Sequence, residues 1–87
     1  MKKRTKIKSS DSMLEYSDMP RIELVGNSEC MVEGMKGILE YTKEKIKINL
    51  GKYYVTFFGD GLFIKSFSYQ GAIVQGNIIS VEFENYG

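Results

Sequence analysis

Beyond Pro20 the apolar residues of this chain recur every second position. Ile46, Ile48 and Leu50 alternate with Lys45, Lys47 and Asn49, so one face is apolar and the other carries lysines. Ile79, Val81 and Phe83 alternate with Ser80, Glu82 and Glu84 in the same way, and Leu62 and Ile64 stand opposite Phe63 and Lys65. No window here holds a helical repeat of useful length. The pattern predicts eight short strands, over 21–26, 28–33, 37–42, 45–50, 52–58, 62–67, 71–75 and 78–84.

Glycines divide these segments. Gly26-Asn27 and Gly76-Asn77 read as two-residue hairpin turns, because both residue types tolerate positive φ. Gly59-Asp60-Gly61 suits a short hairpin loop, and Thr42-Lys43-Glu44 and Tyr69-Gln70-Gly71 read as polar loops. Connections this short leave no room for helical crossovers, which excludes a parallel βαβ arrangement. The expected fold is all-β: a small antiparallel meander closing into a sandwich or partly closed barrel. A solenoid is the second choice, since no fixed period of roughly 20 residues or more emerges.

Residues 53–58, Tyr-Tyr-Val-Thr-Phe-Phe, break the alternation by being apolar or aromatic on both faces. Such a strand is either central and covered twice or left open on one side for a partner. Val55 resembles the branched core positions of its neighbours, whereas Thr56 tolerates water. Val55 and Phe57 are therefore assigned to the core, Tyr54 and Phe58 to a face for a partner or a second copy.

Residues 1–19 form a different unit, a basic leader ahead of a single domain over 20–87. Residues 1–11 are polar and crowded with charge, as in a disordered tail. Ser12-Met13-Leu14-Glu15 fits a capping box for a short helix through Tyr16, which Pro20 would stop. Lys2, Lys3, Arg4, Lys6 and Lys8 supply the charge. They suit a solvated tail or weak, salt-sensitive attraction to an anionic membrane surface. From Arg21 onward acidic and basic residues nearly balance, a poor basis for binding phosphates.

Composition narrows the class further. The chain has 87 residues, 43% hydrophobic and 26% charged, ordinary globular values for one domain. A domain this small buries only about 60% of the surface its unfolded chain exposes, so its stability margin is thin. No apolar run approaches the roughly 18–20 residues that span a bilayer, and the polar start lacks a secretory apolar core. A cytoplasmic protein is expected.

Candidate chemistry is sparse. Cys30 is the only cysteine and there is no histidine, so a disulfide, a thiol-based metal site and an imidazole base are all disfavoured. Cys30 is assigned to the core. Lys65 and Ser66, as strand neighbours, point to opposite faces and cannot act as a nucleophile–base pair. Glu23, Glu29, Glu33, Glu40, Glu82 and Glu84 are spread along strands as solvating charges. Asp60 lacks the further oxygens of a calcium loop, and no Gly-Lys-Ser/Thr phosphate loop is present. No catalytic residue, metal or cofactor is expected.

Four motifs together resemble the YabP/YqfC family of sporulation proteins. They are Pro20-Arg21-Ile22-Glu23-Leu24-Val25-Gly26-Asn27, Gly37-Ile38-Leu39-Glu40-Tyr41, Ile64-Lys65-Ser66 and Gly76-Asn77-Ile78-Ile79-Ser80-Val81-Glu82-Phe83. The Pro-Arg-Ile start and Gly-Ile-Leu-Glu-Tyr core are similar to the YqfC-like branch, and the resemblance covers residues 19–84. It implies a small all-β accessory protein made in the mother cell and linked to spore envelope, cortex or coat formation. It also implies an integral-membrane sporulation partner at the membrane around the forespore, and no catalytic residues. Homo-oligomerisation is a further expectation, from the two-sided aromatic strand. The rival reading is a small nucleic-acid-binding β-barrel, and the lysines separate the two. Lys45, Lys47 and Lys65 gathered beside Tyr54 and Phe58 would favour nucleic acid; their dispersal would favour a protein partner.

Overall fold

The computed structural model describes residues 19–85. The expected short helix from Ser12 and the basic tail lie outside the described residues. Six strands form one antiparallel sheet: β1 (Arg21–Val25), β2 (Glu29–Glu33), β3 (Gly37–Tyr41), β4 (Lys45–Asn49), β5 (Tyr53–Ser68) and β6 (Gly71–Asn85). Their order is β1-β2-β6-β5-β4-β3, and the sheet is not closed. The all-β, antiparallel character is as expected from the alternation. The simple meander is not, because β2 pairs with β6 rather than with its sequence neighbour β3.

Eight expected strands become six for one physical reason. Gly59-Asp60-Gly61 and Gly76-Asn77 are not hairpin turns but bends inside long strands. β5 runs 16 residues and β6 runs 15, and the turn between them is Tyr69-Gln70. The positive φ expected at Gly76 is present, at 133°, and Gly61 sits at 59°. There the backbone bends without reversing, with ladder shifts between Phe58 and Gly59 and between Asp60 and Phe63. The turns at Gly26 (φ 55°), Thr42-Lys43-Glu44 and Tyr69-Gln70 stand where the sequence places them.

The bends divide the sheet into halves that repeat one plan. In the first half the β3–β4 hairpin pairs with the start of β5; in the second the β1–β2 hairpin pairs with the start of β6. Each hairpin turn then accepts two backbone hydrogen bonds from the bend beside it. Gly59 and Leu62 donate to the carbonyls of Glu44 and Lys43 (3.1 and 2.8 Å). Gly76 and Ile78 donate to those of Ser28 and Asn27 (3.2 and 2.8 Å). Side chains reinforce the second clamp, with Asn27 Nδ2 donating to Asn77 Oδ1 (3.0 Å) and Gln75 Nε2 to Glu29 Oε1 (2.8 Å).

One core joins the two halves. Cys30, Val32 and Val74 from one, and Ile46, Ile48, Val55 and Phe57 from the other, are all fully buried in a single cluster. Leu62 and Ile78, the apolar residues of the two bends, complete it. A single flat layer could not remove these side chains from water, so the bends must turn the inner faces of the halves toward each other. Val55, Phe57 and Cys30 are core residues as expected.

The tightest point is where the bends nest. A Cβ on Gly59 would overlap the Asn77 carbonyl, and one on Gly76 would lie 2.6 Å from the Gly61 oxygen and 2.9 Å from Leu62 Cα. Gly76→Val combines that overlap with a backbone conformation closed to β-branched residues. It is expected to lower the unfolding free energy by about 1–3 kcal/mol. In a domain of this size each kcal/mol lowers Tm by about 4–8 °C, read by a circular dichroism melt. An unchanged Tm would mean the bends do not nest.

Candidate protein-interaction surface

The side chains on the outer face of the first half follow from register, because residues opposite one another in adjacent strands share a face. Lys45, Phe58 and Ser80 form one row; Lys47, Thr56 and Glu82 the next; Asn49, Tyr54 and Glu84 the third. Tyr54 and Phe58 thus lie on the face opposite Val55 and Phe57, half-buried rather than open. Each is covered by a lysine. Lys47 Nζ stands 4.6 Å from the Tyr54 ring centre and 3.5 Å from Glu84 Oε1. Lys45 Nζ stands 5.7 Å from the Phe58 ring centre and 3.0 Å from Glu40 Oε1. The aliphatic stems lie along the aromatic surface while the ammonium groups meet both ring faces and carboxylates.

This geometry bears on the nucleic-acid alternative. Lys45 and Lys47 do gather beside Tyr54 and Phe58, but Lys65 lies in the second half, at the irregularity between Ile64 and Ser66. Both gathered lysines are paired with glutamates, and Glu82 adds another carboxylate to the face. Positive charge is not in excess here, so little counterion release would accompany phosphate binding.

Two strongly exposed apolar side chains lie along the final stretch of β6, as Phe67 and Tyr69 do at the end of β5 and the turn after it. Ile79 is 66% exposed and Phe83 60% exposed, with Val81 between them partly packed on the core. Tyr53 meets Phe83 edge-on, ring centres 5.8 Å apart at 62°. The alternation had marked Ile79, Val81 and Phe83 as one equivalent apolar face. In the fold Ile78 takes the core position, because Phe58 pairs with Ser80 and Gly59 with Ile78, leaving Ile79 as the extra residue of a bulge. The doubled Ile78-Ile79 was the available sequence signal.

Among the described residues reactive groups do not converge. A shallow groove of about 180 Å³ lies by Met31, Glu33, Ser66, Ser68, Gly71 and Ile73, with Glu33 its one titratable side chain. A second, of about 570 Å³, is lined by Met19, Pro20, Lys36, Leu50, Gly51, Lys52 and Tyr53 and contains no carboxylate. Among the described residues no three His, Cys, Asp or Glu side chains are placed to share a metal ion. Burial pushes the Cys30 thiol up to about 11, against a weaker lowering by a backbone hydrogen bond at Glu23. Such a thiol is inert at neutral pH. Lys2, Lys3, Arg4, Lys6 and Lys8 lie outside the described residues, and no helix among those described is long and apolar enough to cross a membrane.

Two predictions follow from this geometry. Phe57→Lys would bury an unpaired charge in the core and unfold the chain, whereas Phe58→Lys, on the outer face, keeps a cooperative melt. Circular dichroism reads both; a folded Phe57→Lys with an unfolded Phe58→Lys would invert the faces. The Cys30 proton gives a second. The unfolded thiol loses it near 9.0 and the folded thiol near 11, so stability falls as pH rises across that window. Melts of Cys30→Val alongside the native chain isolate this term, since the variant lacks it.

A sequence profile of the YabP family matches residues 17–87. No curated protein and no solved structure matches the chain.

Proposed function

The chain belongs to the YabP family, a family associated with sporulation, and on that premise we propose that it is a non-enzymatic accessory protein of endospore formation. It works through protein–protein contacts in assembly of the spore envelope, cortex or coat. Its partner is an integral-membrane sporulation protein, met in the mother cell at the membrane surrounding the forespore. The observation that carries the reading is the family match across nearly the whole chain. The surface supports the mode of action. A domain with no converging reactive groups among its described residues exposes several large apolar side chains, Ile79, Phe83 and Phe67 among them. Exposed apolar area of this kind marks contact surfaces in small domains.

Tyr54 and Phe58 are the proposed centre of the partner contact. Aromatic side chains bordered by paired lysines and glutamates suit an interface whose centre is dry and whose rim is polar. The basic leader, Lys2 to Lys8, adds weak attraction to the anionic membrane that holds the partner.

Affinity capture of the tagged chain from sporulating cells, with detergent-solubilised membranes included, tests the reading. One integral-membrane protein is expected to co-purify with the native chain and to be lost from Phe58→Lys. Recovery of no membrane protein, or of nucleic acid instead, would overturn it.

A further inference from the structure

We propose that the last stretch of β6, Ser80 to Asn85, is a pairing edge for a second copy of this chain, in an antiparallel two-fold register centred on Val81. This goes beyond the sporulation role and does not rest on it. The folded sheet has four strand edges without a ladder partner among the described residues: β1, β3, the end of β5 and the end of β6. Free edges invite pairing, and proteins blunt them with bulges, lysines, prolines or side-chain caps.

Three of the four are blunted. β1 is entered from Pro20 and carries the Arg21–Glu23 ion pair (3.7 Å). β3 is broken by the irregularity between Ile38 and Glu40. The end of β5 is broken between Ile64 and Ser66, carries the exposed Lys65, and gives the Ile64 N–H to the Tyr41 hydroxyl (2.8 Å). By the repeated plan of the halves, the end of β6 is its counterpart; its bulge stands at its very start, at Ile79, and its ion pair, Glu84 with Lys47 (3.5 Å), ties it inward to β4 rather than covering its outer edge. Its register with β5 is unbroken from Ser80 opposite Phe58 to Asn85 opposite Tyr53. It contains no lysine and no proline. Beside it stand Ile79 and Phe83, both more than half exposed.

The residues also select the occupant and the register. A two-fold pair keeps like faces together, so its axis passes beside a residue rather than between two. An axis at Glu82 sets two glutamates face to face, and one at Phe83 sets Glu82 against Glu84 of the other copy; both are repulsive. An axis at Ser80 runs into Ile78, whose N–H is already given to Asn27. The axis at Val81 sets no two glutamates opposite and meets Ile78 only opposite Glu84, beyond the clear run from Ile79 to Phe83. It pairs Val81 with itself, Phe83 with Ile79 and Glu82 with Ser80, so apolar meets apolar and a hydroxyl donor meets a carboxylate. The pairing covers the most open apolar side chains of the edge and makes one continuous sheet across both copies.

Sedimentation equilibrium of the full chain up to high micromolar concentration is the first test, and the mass is expected to double. Ile79→Lys and Phe83→Lys, at exposed positions, are expected to stay folded by circular dichroism and to remain monomeric. Oxidation of Val81→Cys is expected to give a covalent dimer, since opposed Cα atoms in an antiparallel pair lie about 4.5–5.5 Å apart. Ile79→Cys is expected not to, because its two copies are offset by four residues, about 13 Å along the strands. The native Cys30 is fully buried and does not compete. A native chain that stays monomeric overturns the proposal, including the case where the edge takes up a strand of another protein. So does a dimer that survives both lysines, or Ile79→Cys cross-linking as readily as Val81→Cys.

Discussion

The close approach of two bent strands at Gly59 and Gly76 is the constraint on which the rest of this fold depends. Each glycine leaves room for the backbone of the opposite bend, Asn77 against one and Gly61-Leu62 against the other. Without that room β5 and β6 would form a straight ribbon, and a two-stranded ribbon cannot bury a core. With it, the ribbon folds and offers each half a strand on which a hairpin docks. Both docked turns then hold the bends in place through backbone hydrogen bonds of the same kind. The core is a consequence: side chains from both halves reach full burial because the bend brings them together.

The same arrangement explains how polar and apolar surface is distributed. A central strand pair with a hairpin on only one flank of each half leaves the other flank open. The end of β5 is protected by a bulge, a lysine and the Tyr41 hydroxyl, whereas the end of β6 is left regular. Tyr54 and Phe58 are handled differently, each shielded by a lysine that is itself paired with a glutamate. The aromatic face is therefore amphipathic and screened, and the open apolar surface of the first half lies at its edge. For a small domain with little stability in reserve, contact at such surfaces supplies burial that the chain alone lacks.

The chain belongs to a family associated with sporulation, and the contact role proposed for it rests on the surface that the fold presents. The described residues offer a buried, proton-retaining thiol, dispersed carboxylates and paired lysines. What distinguishes this domain is the shape and polarity of its surface.

Much was legible in the sequence because alternation is a local property. The apolar face of β4, the burial of Cys30, Val55 and Phe57, and the outward placement of Tyr54 and Phe58 each follow from a side chain's position relative to its immediate neighbours. Strand ends were legible where turn residues reverse the chain, as at Gly26-Asn27 and Tyr69-Gln70. Glycines with positive φ were legible as departures from regular strand, but not as bends or turns. The local backbone requirement is similar; whether the chain continues or reverses depends on distant groups, here the carbonyls of Glu44, Lys43, Ser28 and Asn27. The pairing of β2 with β6, the exchange of Ile79 for Ile78 in the core, and the lysine caps over Tyr54 and Phe58 are non-local for the same reason. Alternation determined which side of a strand each residue faces; only the folded sheet decided what stands opposite it, and which edges lack a partner among the described residues.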